Sequence, residues 1–196
     1  MHINFQSPDP EFSQTFDIFN IIYVFLFLDG EEKVHWKGVA YYNRLINYLL
    51  EKGIITPYAN LYHYDLPEAL EQQYNGLLSR RVVKAYVDYA DFCFKTLGDR
   101  VKNWMTFNEP RVIVALGYDN EFFAPARSSQ PNGNCTADDS TTEPYIMGHH
   151  LIIMHSSAAT QKGRIKILLD FFWYEPLTRS KTDNLATQRA RDFHLG

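Results

Sequence analysis

The sequence comprises 196 residues, of which 45% are hydrophobic and 15% aromatic, and its formal net charge is -4. This composition is typical of a globular chain that can bury a sizeable core. Because the mild acidity is not accompanied by a basic stripe, the sequence predicts no nucleic-acid partner.

The amino-terminal part contains a polar stretch, residues 1–15, and then a continuous apolar run of eight residues, Ile21–Leu28. A helix needs about 20 residues to cross a bilayer, so we expect no membrane span here. The run is instead typical of a strand buried on both faces. Neither a positive n-region nor a small-residue cleavage site accompanies it, so the sequence shows no recognisable signal peptide.

The next two segments have the pattern of a helix followed by a strand. Apolar residues recur at helical spacing over Trp36–Lys52, and Lys52-Gly53 is a typical stop signal. Residues 54–61 predict a strand. The predicted inner face of the helix consists of Tyr41, Tyr42, Leu45, Ile46, Leu49 and Leu50.

A second amphipathic helix is predicted over Ser79–Leu97, with Ser79 as N-cap and Gly98 as terminator. Its predicted inner face consists of Val82, Val83, Tyr86, Ala90 and Cys93. Because Cys93 lies on this face, we expect it to be a buried free thiol.

The strand that follows ends in a carboxylic acid. The stretch VKNWMTFNEP, residues 101–110, begins with strand-favouring residues and stops at Asn108, Glu109 and Pro110. Proline cannot extend the strand and should hold Glu109 extended. A carboxylate at the end of a parallel strand lies where α/β enzymes carry their chemistry. By itself, however, Asn-Glu-Pro can simply mark a strand-to-loop boundary.

The carboxyl-terminal part continues the alternation of helix and strand. We predict helix and turn over 111–125, a polar loop over 126–142, a helix over Glu143–Thr160 and a strand over Arg164–Phe172. Glu175, just after this strand, is the other carboxylate placed like Glu109 and would be a second catalytic group on position alone. Without a linker or repeat, the chain predicts a single α/β domain.

Histidines and cysteines do not indicate a metal site or a disulfide framework. His149 and His150 are adjacent on a helix and do not share a face, and His155 has no i,i+4 partner with a nearby Glu, so no metal is predicted. Two cysteines are too few for a disulfide framework. Cys135 lies in the polar loop, and Asn134-Cys135-Thr136 is a glycosylation sequon that matters only in a secreted chain.

Three motifs resemble those of glycoside hydrolase family 1, of the plant β-glucosidase type, in the same order: YHYDLPEAL at 62–70, GDRVKNWMTFNEP at 98–110 and WYEPL at 173–177. The resemblance implies that Glu109 is the general acid/base of a retaining glycosidase. It also implies that Asn108 binds the sugar 2-hydroxyl and that His63 hydrogen-bonds a glucose hydroxyl. Tyr64 stands where the family commonly has tryptophan. Asp65 is expected to cap the following turn.

The resemblance has gaps, and they define the expected domain organisation. It begins at about Asp29, so 1–28 is interpreted as a divergent segment and 29–196 as a partial family domain. The family's first strand has no counterpart. The family's nucleophile lies in a Thr-Glu-Asn-Gly motif, which this chain does not contain. The family also usually has a second cysteine shortly before Cys135, which here is replaced by APARSS, residues 124–129.

The resemblance implies an α/β fold, an incomplete (β/α)₈ TIM barrel of about four consecutive parallel βα units, since a complete barrel takes roughly 250 residues. The implied activity is that of a β-glucosidase-like retaining O-glycosyl hydrolase acting on β-glucosides or other small glycosides, without a cofactor. We expect the 196-residue chain to be inactive by itself. The alternatives are a non-catalytic carbohydrate- or partner-binding remnant, or a polypeptide with no stable fold. Exposed barrel edges predict self-association. Family members are often secreted or vacuolar, but the compartment stays open.

Overall fold

The computed structural model describes residues 2–3, 16–20, 33–53, 57–129, 141–162, 165–169 and 173–195. The strands are β1 (His2–Ile3), β2 (Phe16–Asn20), β3 (Pro57–Asn60), β4 (Asn103–Asn108) and β5 (Lys166–Leu168). The helices are α1 (Trp36–Glu51), α2 (Glu68–Tyr74), α3 (Arg81–Leu97), α4 (Pro110–Tyr118), α5 (Glu143–Lys162) and α6 (Lys181–Leu195), with a short 3₁₀ helix at Gly76–Leu78.

The strands form one sheet in the order of the sequence, β1-β2-β3-β4-β5. Strands β2 to β5 are mutually parallel, and β1 pairs with β2 in the antiparallel direction. Each parallel strand lies beside its predecessor, and helices occupy the connections between them. This is the wall of a (β/α)₈ barrel carried through four parallel strands, which confirms the predicted fold class.

The first parallel strand comes from the segment 1–28 that the motifs leave unassigned. Residues 17–20 of β2 pair with 57–60 of β3. The strand predicted over Ile21–Leu28 lies outside the described residues, so that prediction stands untested. Within the described part of the chain, no helix has both the length and the apolar character needed to cross a membrane.

Helix α1 ends as predicted but buries a narrower face. Gly53 has φ +68°, a left-handed conformation that glycine adopts without strain. The buried positions are Gly38, Val39, Tyr42 and Ile46. Tyr41 and Leu50 were expected on the inner face, but they are 50% and 40% exposed. The helix contacts the sheet along one row of i,i+4 neighbours, and residues beside that row remain in solvent.

Helix α3 provides a large share of the core, and its tyrosines are tied to strands. The hydroxyl of Tyr86 donates to the Thr106 carbonyl at 2.8 Å, and that of Tyr89 donates to the Leu61 carbonyl at 2.9 Å. Buried phenols need such partners. Val83 is only half-buried, unlike the prediction. The buried residues of the helix are Val82, Ala85, Tyr86, Tyr89, Ala90, Cys93, Phe94 and Leu97.

Strands β4 and β5 differ sharply in burial. Residues 104–108 of β4 are all buried, as expected for a strand covered on both faces. Strand β5 is less covered: Lys166 is exposed, Ile167 and Leu168 are half-buried, and Leu169 after it is 60% exposed. The reason is position, because β5 lies at an edge of the described sheet.

The thiol of Cys93 is fully buried, which predicts that it reacts slowly with thiol reagents. Removal from solvent raises its pKa well above the usual range, and the nearby Tyr89 only partly offsets this. In a Cys135→Ser variant, which isolates Cys93, we expect thiol reagents to react only after denaturant is added. Rapid labelling under native conditions would mean that α3 is not packed. By contrast, we expect Cys135 to react with thiol reagents in the native chain, because the sequence places it in a polar loop. That residue lies outside the described part, so this expectation stays a prediction.

Candidate active site

The carboxyl end of β4 is held by both neighbouring strands. The N–H of Asn108 donates to the Tyr62 carbonyl at 3.0 Å, on the β3 side. The N–H of Glu109 donates to the Leu168 carbonyl at 2.8 Å, on the β5 side. Asn108 and Glu109 are therefore fixed where three parallel strands end, at the edge of the sheet that carries the chemistry of α/β barrels.

Glu109 has a left-handed backbone, with φ 44° and ψ 63°, so the expectation of an extended conformation is wrong. Its carbonyl already accepts the Val112 N–H at 2.9 Å, because α4 begins at Pro110 without a connecting loop. Proline disfavours the right-handed helical conformation for the residue before it. An extended residue would not turn the chain from the strand into the helix. The left-handed conformation of Glu109 satisfies both constraints. Such conformations cost about 1–3 kcal/mol and cluster at functional sites.

Tyr64 connects the two predicted site residues of β4. Its hydroxyl donates to Glu109 Oε2 at 3.2 Å, with the Glu109 carbonyl at 3.4 Å, and accepts Asn108 Nδ2–H at 3.2 Å. Tyr64 also has a positive φ, 64°. The sequence motif marked this position only as an aromatic replacement. The hydrogen bonds of its hydroxyl were not anticipated.

His63 is half-buried beside Tyr64, with the two ring centroids 5.0 Å apart. Its N–H donates to Asp65 Oδ1 at 2.8 Å. Asp65 therefore braces the turn that precedes it, whereas the N-cap residue of α2, Pro67, makes no side-chain capping hydrogen bond. The structure brings His63, Asn108 and Glu109 to one edge of the sheet around Tyr64, and their roles toward a sugar remain predictions.

Glu175 does not join this group. It is exposed and lies in an irregular stretch after β5, which ends at Leu168. Its neighbours Trp173 and Tyr174 contact Arg191 of α6: the guanidinium lies 4.1 Å from the indole centroid, and Nε donates to the Tyr174 carbonyl at 2.8 Å. Its exposure distinguishes Glu175 from Glu109, which is half-buried.

A small cavity of about 120 Å³ adjoins Tyr64 on the side of α2 and α4. Burial raises the pKa of Glu71 in its wall, and the charge of Arg127 partly offsets this. Arg127 also binds Glu143 with two hydrogen bonds, Nε–Oε2 at 2.9 Å and Nη2–Oε1 at 2.7 Å. This partly buried pair ties the chain after α4 to the start of α5. The cavity is lined by Tyr62, Tyr64, Leu66, Glu68, Glu71, Leu77, Ile113, Tyr118, Ala124 and Pro125.

Two of the three histidines of α5 have hydrogen-bond partners within the fold. His150 Nδ1 lies 2.7 Å from the Leu77 carbonyl, and His155 Nδ1 lies 2.8 Å from Thr106 Oγ1, while His149 is exposed. Among the residues that the structure describes, no group of three or more His, Cys, Asp or Glu side chains could hold a metal ion. The sequon at Asn134 lies outside the described residues.

A carboxylate at the carboxyl end of a parallel barrel strand is typical of (β/α)₈ enzymes. In these enzymes the strand ends and the loops that follow them carry the reacting groups. The chain matches the model of glycosyl hydrolase family 1 over residues 14–196 and belongs to that family. The match begins before Asp29, so it includes strand β2. The division into 1–28 and 29–196 remains a proposal.

The curated relatives include beta-glucosidase 44 of Arabidopsis thaliana, which is 66% identical over 91% of this chain and 36% of its own length. Beta-glucosidase 1 of Oryza sativa subsp. japonica is 63% identical over 91% of this chain and 35% of its own length. The chain thus spans about a third of the length of these relatives. Among solved structures, a rice Os3BGlu6 beta-glucosidase superposes with a TM-score of 0.82 and 40% identity, covering 91% of this chain and 39% of that one.

Proposed function

We propose that this chain supplies the acid/base half of a β-glucosidase-type retaining O-glycosyl hydrolase that acts on β-glucosides. The observation that carries the proposal is the Glu109 carboxylate at the carboxyl end of β4, beside Asn108 and Tyr64. Relatives with up to 66% identity are named beta-glucosidases, which supports the substrate class. We assign sugar binding to Asn108 and His63.

Retaining hydrolysis needs two carboxyl groups about 5–5.5 Å apart, one that protonates the leaving oxygen and one that attacks the anomeric carbon. In this proposal Glu109 donates the proton in the first step and takes a proton from water in the second. The sequence contains no Thr-Glu-Asn-Gly motif for the attacking carboxylate. We therefore expect no turnover from the 196-residue chain alone.

The same missing motif favours a second candidate, a non-catalytic carbohydrate- or partner-binding remnant. Asn108, His63 and the aromatic ring of Tyr64 would still offer polar and stacking contacts to a sugar. Sugar binding without any contribution to turnover, even when the other half of a barrel is provided, would favour this candidate over the first.

Binding of a cationic glucose analogue such as deoxynojirimycin tests whether Glu109 faces the sugar site. We expect Glu109→Gln to weaken binding by roughly 10- to 100-fold, because a hydrogen bond to a charged group contributes about 1.5–3 kcal/mol. Isothermal titration calorimetry measures the affinity. Glu175→Gln is the matched control, since it makes the same change at an exposed carboxylate and should leave the affinity unaltered. Equal affinities for the parent chain and Glu109→Gln would contradict the proposal.

We also propose that the chain self-associates with a second copy of itself through the exposed edge at β5. The support is the exposure of Lys166 and Leu169 at the end of the described sheet, where a barrel would continue.

A further inference from the structure

The phenol of Tyr64 lies at the centre of a hydrogen-bonded group that the sequence motifs did not indicate. Residues 45 positions apart meet when its hydroxyl donates to Glu109 Oε2 at 3.2 Å. The same oxygen accepts from Asn108 Nδ2 at 3.2 Å. A hydroxyl can donate one hydrogen bond and accept others, so both contacts can exist at once.

The side chains of Tyr64, Asn108 and Glu109 do not use all of their hydrogen-bonding groups on one another, so some can bind a sugar. The Asn108 amide has two N–H donors, and only one is directed to Tyr64. The Glu109 carboxylate has two oxygens, and only Oε2 receives the phenol. Among the residues that the structure describes, one amide N–H and one carboxylate oxygen therefore have no hydrogen-bond partner.

The backbone and the packing around Tyr64 restrict where its hydroxyl can lie. Its φ is positive, as is that of Glu109, so the two residues in contact both adopt conformations that the surrounding fold must impose. Its ring contacts two aromatic rings, with centroid distances of 5.0 Å to His63 and 5.8 Å to Phe123. The turn below it is braced by the hydrogen bond from the His63 N–H to Asp65.

We infer that Tyr64 is a positioning residue, which orients the carboxylate of Glu109 and the amide of Asn108 relative to each other. For the reaction, the inference rests on the proposed function, since only a glycosidase would use that orientation. The contact itself is a property of this chain and can be measured without any turnover.

The test is the ¹³C signal of the Glu109 side-chain carboxyl, assigned by its disappearance in Glu109→Gln. In the unmodified chain we expect this signal to move between H₂O and D₂O at constant pH, because the carboxylate accepts a hydrogen bond from an exchangeable phenol. In Tyr64→Phe, which keeps the ring and removes only the oxygen, we expect the carboxyl signal to shift and the contribution of the phenol to the isotope effect to disappear.

Tyr86→Phe is the matched control. Tyr86 also donates its hydroxyl into β4, to the Thr106 carbonyl at 2.8 Å, so this variant loses a comparable hydrogen bond without touching Glu109. Its Glu109 signal should stay in place. The measurement on the unmodified chain keeps the inference testable even if Tyr64→Phe fails to fold.

An unchanged Glu109 signal in a folded Tyr64→Phe variant, or no isotope effect in the unmodified chain, would overturn the inference. Its failure is distinguishable from that of the proposed function. A carboxyl signal that depends on Tyr64 in a chain that binds no glucose analogue would contradict the proposed sugar-binding site and leave the contact established.

Discussion

Glu109→Gln should lower hydrolysis of a nitrophenyl β-glucoside by about 10²- to 10⁴-fold when the chain is reconstituted with the remaining part of a family 1 barrel. This is the usual contribution of a positioned acid/base group. The added polypeptide would carry the later strands of a plant β-glucosidase, including a Thr-Glu-Asn-Gly segment. The large effect is expected because the role proposed for Glu109 involves both steps, as acid and then as base.

The reconstitution contains its own controls. Neither polypeptide alone should hydrolyse the substrate, and Glu175→Gln should retain the reconstituted rate because Glu175 is exposed to solvent. In Glu109→Ala, azide should restore turnover and appear in a glucosyl azide product, since this nucleophile needs no base. Turnover by the chain alone, or a Glu109→Gln variant as active as the parent, would contradict the assignment.

Self-association at low micromolar concentration is the second large expected effect. Each large apolar side chain that stays exposed to solvent lacks roughly 1.5–3 kcal/mol of the stabilising free energy that its burial would contribute. A few such losses are comparable with a domain's net stability of about 5–15 kcal/mol. Because the described sheet ends at β5 with Leu169 60% exposed, we expect a second copy to cover that edge. Sedimentation velocity and the fluorescence of a hydrophobic dye measure this.

Two leucine variants locate the surface that associates. Leu169→Lys places a charge beside the sheet edge, where charged residues discourage pairing, and should shift the chain toward monomer and reduce dye binding. Leu177→Lys makes the same change at a side chain that is 93% exposed but lies beyond the sheet, and should leave association unchanged. A monomeric parent chain that binds no dye and unfolds in one cooperative transition would contradict the prediction.

The sequence was sufficient to predict the elements that local chemistry controls. Apolar patterns and stop signals predicted helices α1, α3 and α5 to within a few residues of their observed bounds. The proline after Glu109 correctly predicted where β4 ends. Parallel strands put their carboxyl ends on one side of a sheet, so His63, Asn108 and Glu109 could be assigned to the same edge before the structure was known.

Burial at the margins of the fold could not be predicted in this way. Tyr41 and Leu50 of α1 have the same apolar character as the buried Tyr42 and Ile46, but they point away from the row that meets the sheet. Likewise, the apolar residues around β5 resemble those of a covered strand, although β5 lies at the edge. Hydrophobicity indicates which residues can be buried, whereas burial also requires a neighbour to cover them.

By itself, the sequence determined the order of strands and helices and the placement of an acid at the end of β4, because apolar patterns, caps and proline act on nearby residues. Only the tertiary structure decided the left-handed turn at Glu109 and the bond from Tyr64 to its carboxylate. Those features depend on β4 entering α4 directly and on β3 lying parallel beside it. Contacts between side chains 45 residues apart arise from that long-range packing, which no local pattern encodes.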